Sequence, residues 1–75
     1  MTWAKRPGKA QGFIAIGRNA NIFMVDTVHD RTCFRGYHYG KGGMMLCASE
    51  LFGGYGASTK ARAWCEARNQ RVRVR

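Results

Sequence analysis

Residues 13–28, FIAIGRNANIFMVDTV, decide the fold, because two β-rich runs in this stretch lie on either side of a short polar segment. The polar segment contains Asn19 and Ala20, and a two-residue loop at these positions would join the runs as an antiparallel hairpin. In that register four apolar side chains share one face, as two cross-strand pairs. The pairs are Ile14 with Val25 and Ile16 with Phe23. The stretch therefore predicts a β-hairpin whose core face carries these four residues.

A second hairpin is predicted to follow, with its loop at Asp30 and Arg31 in the turn HDRT, residues 29–32. Continuing the register across this turn assigns three more cross-strand pairs. They are Asp26 with Arg35, Met24 with Tyr37, and Ile22 with Tyr39. Phe34 and His38 then lie on the core face. The opposite face carries a row of three side chains from one strand, Arg35, Tyr37 and Tyr39.

The second half of the chain predicts a further strand followed by a helix. Glycines at 40, 42 and 43 form a turn before MMLCASELF, residues 44–52, which is the candidate fourth strand. Glycines at 53, 54 and 56 then permit a change of direction, and Ser58 or Thr59 is the expected helix N-cap. The helix would bury one stripe of side chains, Ala57, Ala61, Trp64, Cys65 and Arg68.

The predicted fold is therefore α+β: a small antiparallel sheet of three to four strands with one C-terminal helix packed on one face. The tail RVRVR, residues 71–75, is a candidate short edge strand with its two valines facing inward. Residues 1–11, MTWAKRPGKAQ, predict a flexible basic arm, because Pro7 and Gly8 disfavour regular structure. Within this arm, Trp3 either folds back onto the domain or inserts into a partner. A single domain is expected over residues 12–75.

Charge is the strongest global feature of the chain. Thirteen lysines and arginines face four acidic residues, which gives a formal net charge of +9 and a sequence pI near 10.4. Solubility alone needs a net charge of only about 2–8, so the excess predicts an anionic partner such as nucleic acid, an acidic protein face or a membrane surface. A chain that merely tolerates its charge is the alternative. No stretch approaches the roughly 18 apolar residues that span a bilayer, and no signal-peptide core follows Met1, so we expect a cytoplasmic protein without a membrane partner.

The sequence has no pattern typical of an enzyme or of a metal site. Cys33, Cys47 and Cys65 are odd in number and lack CxxC spacing, which predicts free thiols in a reducing compartment. A cysteine–histidine nucleophile would use His29 or His38, and His38 is predicted to lie in the core. The spacing of these residues matches no compact zinc signature, and GKGG at 40–43 lacks the rest of a phosphate-loop motif. We therefore expect no catalytic activity, no metal and no cofactor.

The main candidate binding surface lies along the second predicted hairpin. Arg35, Tyr37, Tyr39 and Lys41 alternate in sequence, so their side chains would project together about 6–7 Å apart. Aromatic rings interleaved with cations are typical of single-stranded nucleic-acid binding, in which bases stack and phosphates meet the cations. Met24 falls on the same face, so packing of the tyrosines under a helix, a tail or a second subunit is the alternative. The predicted binding residues are Arg18, Arg35, Tyr37, Tyr39 and Lys41, with Arg71, Arg73 and Arg75 as phosphate contacts without sequence preference.

The segment GGMMLCASELFGGYGASTKARAW resembles the small YegP-type proteins, a family of unknown function. The shared pattern is a glycine turn, a strand ending in Ser-Glu, a tyrosine and a Ser/Thr-x-Lys helix start. In this chain it falls on Gly43, Leu46, Ser49, Glu50, Tyr55, Ser58 and Lys60. The predicted sheet and helix are also similar to plant APETALA-type DNA-binding domains, whose sheet reads the major groove. Both resemblances imply a sheet-plus-helix fold without catalytic residues, and the second implies DNA.

As a solitary, small and strongly charged domain, the chain is also similar in character to phage-encoded inhibitors, anti-CRISPR proteins among them. These observations predict a small basic, non-catalytic module that engages a nucleic acid or a nucleoprotein complex. Its most specific form is a phage-type inhibitor of an RNA-guided defence complex, acting inside an infected bacterium. The alternative is an interaction protein that forms a homodimer through the face of Met24, Tyr37 and Tyr39. Both a monomer and a homodimer are compatible with the sequence.

Overall fold

A computed structural model of the chain describes residues 1–8, 11–28 and 32–73. Within these residues the strands are β1 (Ala4–Lys5), β2 (Phe13–Ile16), β3 (Ile22–Val28), β4 (Cys33–Tyr39), β5 (Met45–Ala48) and β6 (Phe52–Gly53). A 3₁₀ turn, Arg18–Ala20, joins β2 to β3, and the helix α1 (Ala57–Arg71) follows β6.

The strands form one antiparallel sheet in the order β1-β2-β3-β4-β5, and β6 also pairs with β4. Helix α1 packs on β3, β4 and β6. The predicted α+β architecture, an antiparallel sheet with one C-terminal helix, is confirmed. The sheet has more strands than predicted because two two-residue strands, β1 and β6, add pairing to β2 and to β4.

The predicted register of the first hairpin is wrong by one residue. Val25 lies opposite Phe13, and Phe23 lies opposite Ala15. The core face of this hairpin is therefore formed by Phe13, Ala15, Phe23 and Val25. The two isoleucines predicted to lie in the core, Ile14 and Ile16, point to the other face.

The cause of this shift is the loop between β2 and β3. It holds the three residues of the 3₁₀ turn instead of two, and Gly17 N–H closes it by donating to the Asn21 carbonyl at 2.8 Å. Asn19 and Ala20 both adopt a left-handed backbone, with φ of 53° and 58°. Since successive strand residues face opposite ways, one additional loop residue exchanges the two faces of β2.

The second hairpin has the predicted register. Its cross-strand pairs include Asp26 with Arg35, Met24 with Tyr37, and Ile22 with Tyr39. His38 lies on the core face as predicted, where it is buried. The expected turn residues His29, Asp30 and Arg31 lie outside the described residues.

The core lies between the sheet and α1. Four fully buried side chains form its centre, Phe23, Val25, Ala61 and Cys65. Helix α1 begins at Ala57 with Gly56 as its N-cap, so the prediction of Ser58 or Thr59 in that position is wrong. Gly56 takes this place because the turn into the helix requires a left-handed backbone, with φ of 76°, which glycine adopts without strain.

Residues 1–8, within the predicted basic arm, lie against the domain. Strand β1 pairs with β2, and the Trp3 indole Nε1 donates to Glu66 Oε2 at 3.0 Å. Arg6 forms an ion pair with Asp26 at 2.5 Å. Trp3 therefore folds back onto the helix, and the segment contributes a strand to the sheet.

The basic tail differs from the edge-strand prediction over its described part. Val72 is the C-cap of α1 and packs against the core, as predicted for its side chain. The helix extends to Arg71, and residues 72 and 73 do not belong to a strand. Val74 and Arg75 lie outside the described residues. Across the described part of the chain, no helix has both the length and the apolar character needed to cross a membrane.

Candidate binding surface

The sheet face opposite α1 is apolar, and no described element packs over it. We call it the open face. Its apolar members occupy cross-strand positions that point away from the core, and they include Ile14, Ile16, Ile22, Met24, Tyr37, Tyr39, Met45 and Ala48. Ile16 remains 63% exposed and Met45 54% exposed. A sheet with one covered face usually places polar residues on the other, so this composition indicates a contact surface.

Tyr37 and Tyr39 lie side by side on the open face. Their ring centroids are 6.5 Å apart, and the ring planes are inclined by 35°. Both residues are half-buried, and their partners on β3 are Met24 and Ile22. Rings held by such neighbours lose little conformational freedom when a ligand binds. The pair therefore offers a preformed aromatic contact to a base or to an apolar protein side chain.

Arg35 supplies a cation next to Tyr37 on the open face. It lies opposite Asp26, whose Oδ2 accepts a hydrogen bond from Arg6 Nη1. The Nε atom of Arg35 is buried and has no hydrogen-bond partner among the described residues. A buried donor without a partner costs about 1–3 kcal/mol.

Four basic residues lie at one end of the molecule, around the β2–β3 loop, and we call them the basic end. They are Arg18, Lys41, Arg71 and Arg73. Arg18 is held in place, because its Nη1 donates to the carbonyls of Gln70 and Val72 at 3.2 and 3.5 Å. These bonds cap the last turn of α1. The Asn19 amide also donates to the Arg73 carbonyl, which fixes the start of the tail against the loop.

Lys41 joins the basic end from the β4–β5 turn. It lines a shallow, open pocket together with Asn19, Ala20 and Asn21. Lys41, Arg71 and Arg73 are exposed, and segments 18–21, 40–43 and 69–73 contain no acidic residue. Over these described segments the charged side chains of the basic end are all positive, which suits it to phosphate contacts without base readout.

The predicted binding residues thus fall on two surfaces instead of one. Arg35, Tyr37 and Tyr39 share the open face as expected. Lys41 does not continue their row, because the pairing with β5 shifts at a bulge between His38 and Tyr39 and the strand ends there. Arg18, Arg71 and Arg73 lie with Lys41 at the basic end, and Arg75 lies outside the described residues.

Some members of these surfaces have only a weak signal in the sequence. Ile14 and Ile16 belong to the open face instead of the predicted core face, and because both faces of β2 are apolar the pattern fits either register. Met44, Met45 and Leu46 fall in the candidate fourth strand, and all three are exposed. Residues 42–49 contain no charged residue, although 23% of the chain is charged. This uncharged segment is the sequence feature that distinguishes Met44, Met45 and Leu46.

His38 anchors the basic end to the core. Its ring stacks on Phe23, with centroids 4.4 Å apart and an interplanar angle of 17°. Nε2 lies 2.6 Å from Asn21 Oδ1, and Arg68 Nε donates to Nδ1 at 3.4 Å. Burial lowers the pKa of His38, and the positive charge of Arg68 lowers it further. In the neutral ring with its proton on Nε2, Nε2 donates to Asn21 Oδ1 and Nδ1 accepts from Arg68.

The described residues contain no group of three or more histidine, cysteine or acidic side chains that could hold a metal ion. Cys33 and His38 lie at strand positions that point to opposite faces of β4. Cys33, Cys47 and Cys65 are free thiols. Burial raises the pKa of the Cys65 thiol to about 12, so this thiol stays protonated and unreactive near neutral pH.

Comparison of the chain with protein-family models, with curated proteins and with solved structures gave no match in any of the three.

Proposed function

We propose that this protein is a non-catalytic binding module that engages a nucleic acid or a nucleoprotein complex through its two exposed surfaces. The observation that carries the proposal is that the open face and the basic end are separate surfaces. Tyr37, Tyr39 and Arg35 lie on an apolar face, whereas exposed positive charge gathers at the basic end. A nucleoprotein complex offers both kinds of partner surface, an apolar protein face and a row of phosphates.

The open face has the composition of a protein-contact centre. Tyrosine, methionine and arginine are enriched at such centres, and lysine and acidic residues are depleted. On the open face, Arg35 is the cation beside the tyrosines, and the Asp26 carboxylate is already paired with Arg6. If the ligand is instead a single strand of nucleic acid, the same tyrosines stack on bases and Arg35 meets a phosphate.

The basic end supports the nucleic-acid part of the proposal. Lys41, Arg71 and Arg73 are exposed, and Arg18 keeps the loop and the tail together beneath them. Positive side chains near a helix C-terminus also stabilise the helix dipole by about 0.3–1 kcal/mol each. Arg71 can have this role because it lies at the end of α1. Lys41 lies in the β4–β5 turn and cannot, so its position supports contact with an external anion.

The test is the anisotropy of labelled single- and double-stranded oligonucleotides at about 50 and 200 mM salt. Affinity should fall with salt, with a slope of about −0.9 in log affinity against log salt for each duplex phosphate contacted. The double variant Lys41→Gln with Arg71→Gln should weaken binding and reduce this slope. The matched control is Lys5→Gln with Lys60→Gln, which removes the same charge from exposed positions elsewhere. Equal losses in the two double variants would contradict a role for the basic end.

The most specific form of the proposal is an inhibitor of the anti-CRISPR kind, acting in the cytoplasm of a phage-infected bacterium. Its support is the small size, the charge and the two surfaces. Such an inhibitor should compete with target DNA at an RNA-guided complex. Unchanged DNA capture and cleavage in the presence of the protein would exclude this form.

A homodimer through the open face is the competing use of the same residues. It is favoured by the apolar character of β2 and β3 on both faces. Sedimentation of Ile16→Lys separates the two uses, because a lysine at this exposed position would disrupt a dimer that buries the open face. If the wild type sediments as a dimer and Ile16→Lys as a monomer, the open face serves self-association.

A further inference from the structure

The two edges of the sheet differ in how they are protected. Strand β1 forms one edge, has only two residues, and is followed by the charged Arg6 and by Pro7. Charge, proline and short length are the usual devices that prevent an edge from pairing with another chain. The β5 edge has one such device, the bulge opposite His38 and Tyr39. It has neither charge nor proline, because residues 42–49 read GGMMLCAS.

Large apolar side chains are exposed along the β5 edge. Met44 is 75% exposed, Met45 is 54% exposed and Leu46 is 56% exposed. The backbone of β5 pairs with β4 on one side only. An uncharged edge that combines unpaired backbone groups with exposed apolar side chains is a template for adding a strand.

We propose that the β5 edge pairs with the β5 edge of a second copy of this chain, antiparallel and across a twofold axis. A twofold contact is self-complementary, because each copy presents the same patch. The charges at the two ends of the edge fit this arrangement. Lys41 precedes the uncharged segment and Glu50 follows it. Antiparallel pairing brings the Lys41 end of each copy beside the Glu50 end of the other, so that opposite charges meet at both ends.

Edge pairing would add stability that the small core of this protein does not supply. Among the described residues, the fully buried core has two large apolar side chains, Phe23 and Val25, beside Ala61 and Cys65. Small domains often rely on oligomerisation for part of their stability. Edge pairing joins two sheets into one, and it leaves Tyr37 and Tyr39 of the open face and Arg18, Arg71 and Arg73 of the basic end outside the contact. The inference therefore goes beyond the proposed function and does not depend on it.

The test is sedimentation over a wide range of protein concentration, with two variants. The edge variant Met44→Lys with Leu46→Lys puts charge on exposed positions of the edge and should lose the dimer. The control Ile16→Lys adds a lysine at a similarly exposed position on the open face, away from the edge, and should keep the dimer. A wild type that is monomeric at every concentration overturns the proposal. So does a dimer that survives the edge variant and is lost in Ile16→Lys, because such a dimer uses the open face.

A second measurement keeps the proposal testable if the edge variant does not fold. Cys47 lies on β5, and Cys33 lies on β4 beside β6. A short bis-maleimide should link Cys47 of one copy to Cys47 of the other in the otherwise unchanged protein. Cys33→Ser should retain this crosslinked dimer, and Cys47→Ser should lose it. A crosslink that persists in Cys47→Ser contradicts edge pairing. Oligonucleotide binding is measured separately, so failure of the dimer and failure of the proposed function are distinguishable.

Discussion

Gly36 on β4 lies directly beneath Trp64 on α1: a Cβ atom built at Gly36 would be 2.8 Å from Cε3 of the indole. The same atom would be 3.0 Å from the Cys65 sulfur and 3.1 Å from the Ala61 carbonyl oxygen. Carbon atoms do not approach this closely without a shift of the neighbours. The absence of a side chain at Gly36 therefore sets how close the helix lies to the sheet.

Gly36→Ala should destabilise the protein by about 1–3 kcal/mol, because the added methyl group overpacks the contact between helix and sheet. Urea unfolding followed by circular dichroism measures the change. Gly42→Ala is the matched control, since a Cβ there meets no atom within 4 Å. Equal stability of the two variants would show that the helix moves away at no cost, which contradicts a close-packed contact.

The stability of the protein should decrease as the pH falls below 6.5. The pKa of His38 lies below its ordinary value of 6.5 in the folded protein, because the ring is desolvated and faces Arg68. Between the folded and the unfolded pKa, the unfolded chain binds more protons than the folded one. The contribution of His38 is therefore complete above 6.5 and is lost as the pH falls through the folded pKa.

Urea unfolding at a series of pH values below neutrality, on the wild type and on His38→Gln, measures this dependence. The wild type should lose stability more steeply, because glutamine does not titrate. His29 is present in both proteins, so its contribution cancels in the difference. Parallel curves for the two proteins would contradict a neutral His38 in the fold.

The register of β3 against β4 could be predicted from the sequence for a physical reason. Asp26 and Arg35 are complementary charges, and only one face of this pair of strands places Phe23 and Val25 together with His38. The predicted loop at Asp30 and Arg31 gives this register, and the alternation along both strands agrees with it. The same reasoning placed Tyr37 and Tyr39 on the face away from the core.

The register of β2 could not be predicted in this way. Its two faces hold Phe13 with Ala15 and Ile14 with Ile16, and both pairs are apolar, so the pattern fits either register. The loop decides between them, and its length depends on left-handed backbone at Asn19 and Ala20. Asparagine adopts this conformation readily but alanine seldom does, so the sequence does not mark the three-residue loop. The predicted open face therefore lacks Ile14 and Ile16.

Ala20→Gly should stabilise the protein by up to about 1 kcal/mol, because glycine removes the cost of the left-handed backbone. This gain in stability is partly offset by the greater conformational entropy of glycine in the unfolded chain. Thermal or urea unfolding measures the change. Ala63→Gly is the control, since the same substitution at an exposed position within α1 should destabilise by about 0.5–1 kcal/mol. Destabilisation in Ala20→Gly would mean that the three-residue loop is not the structure in solution.

Tyr37→Ala with Tyr39→Ala should weaken the binding of single-stranded oligonucleotides more than that of duplexes, if the ligand of the open face is a nucleic acid. Base stacking on an aromatic side chain is worth about 1–3 kcal/mol per base, and only unpaired bases can reach the two rings. Anisotropy on both oligonucleotide forms at one salt concentration measures the difference. Tyr55→Ala is the control, because Tyr55 is fully exposed in the loop before α1 and belongs to neither surface. Unchanged affinity for single strands, together with salt-dependent duplex binding, would assign nucleic-acid contact to the basic end alone and leave the open face for a protein.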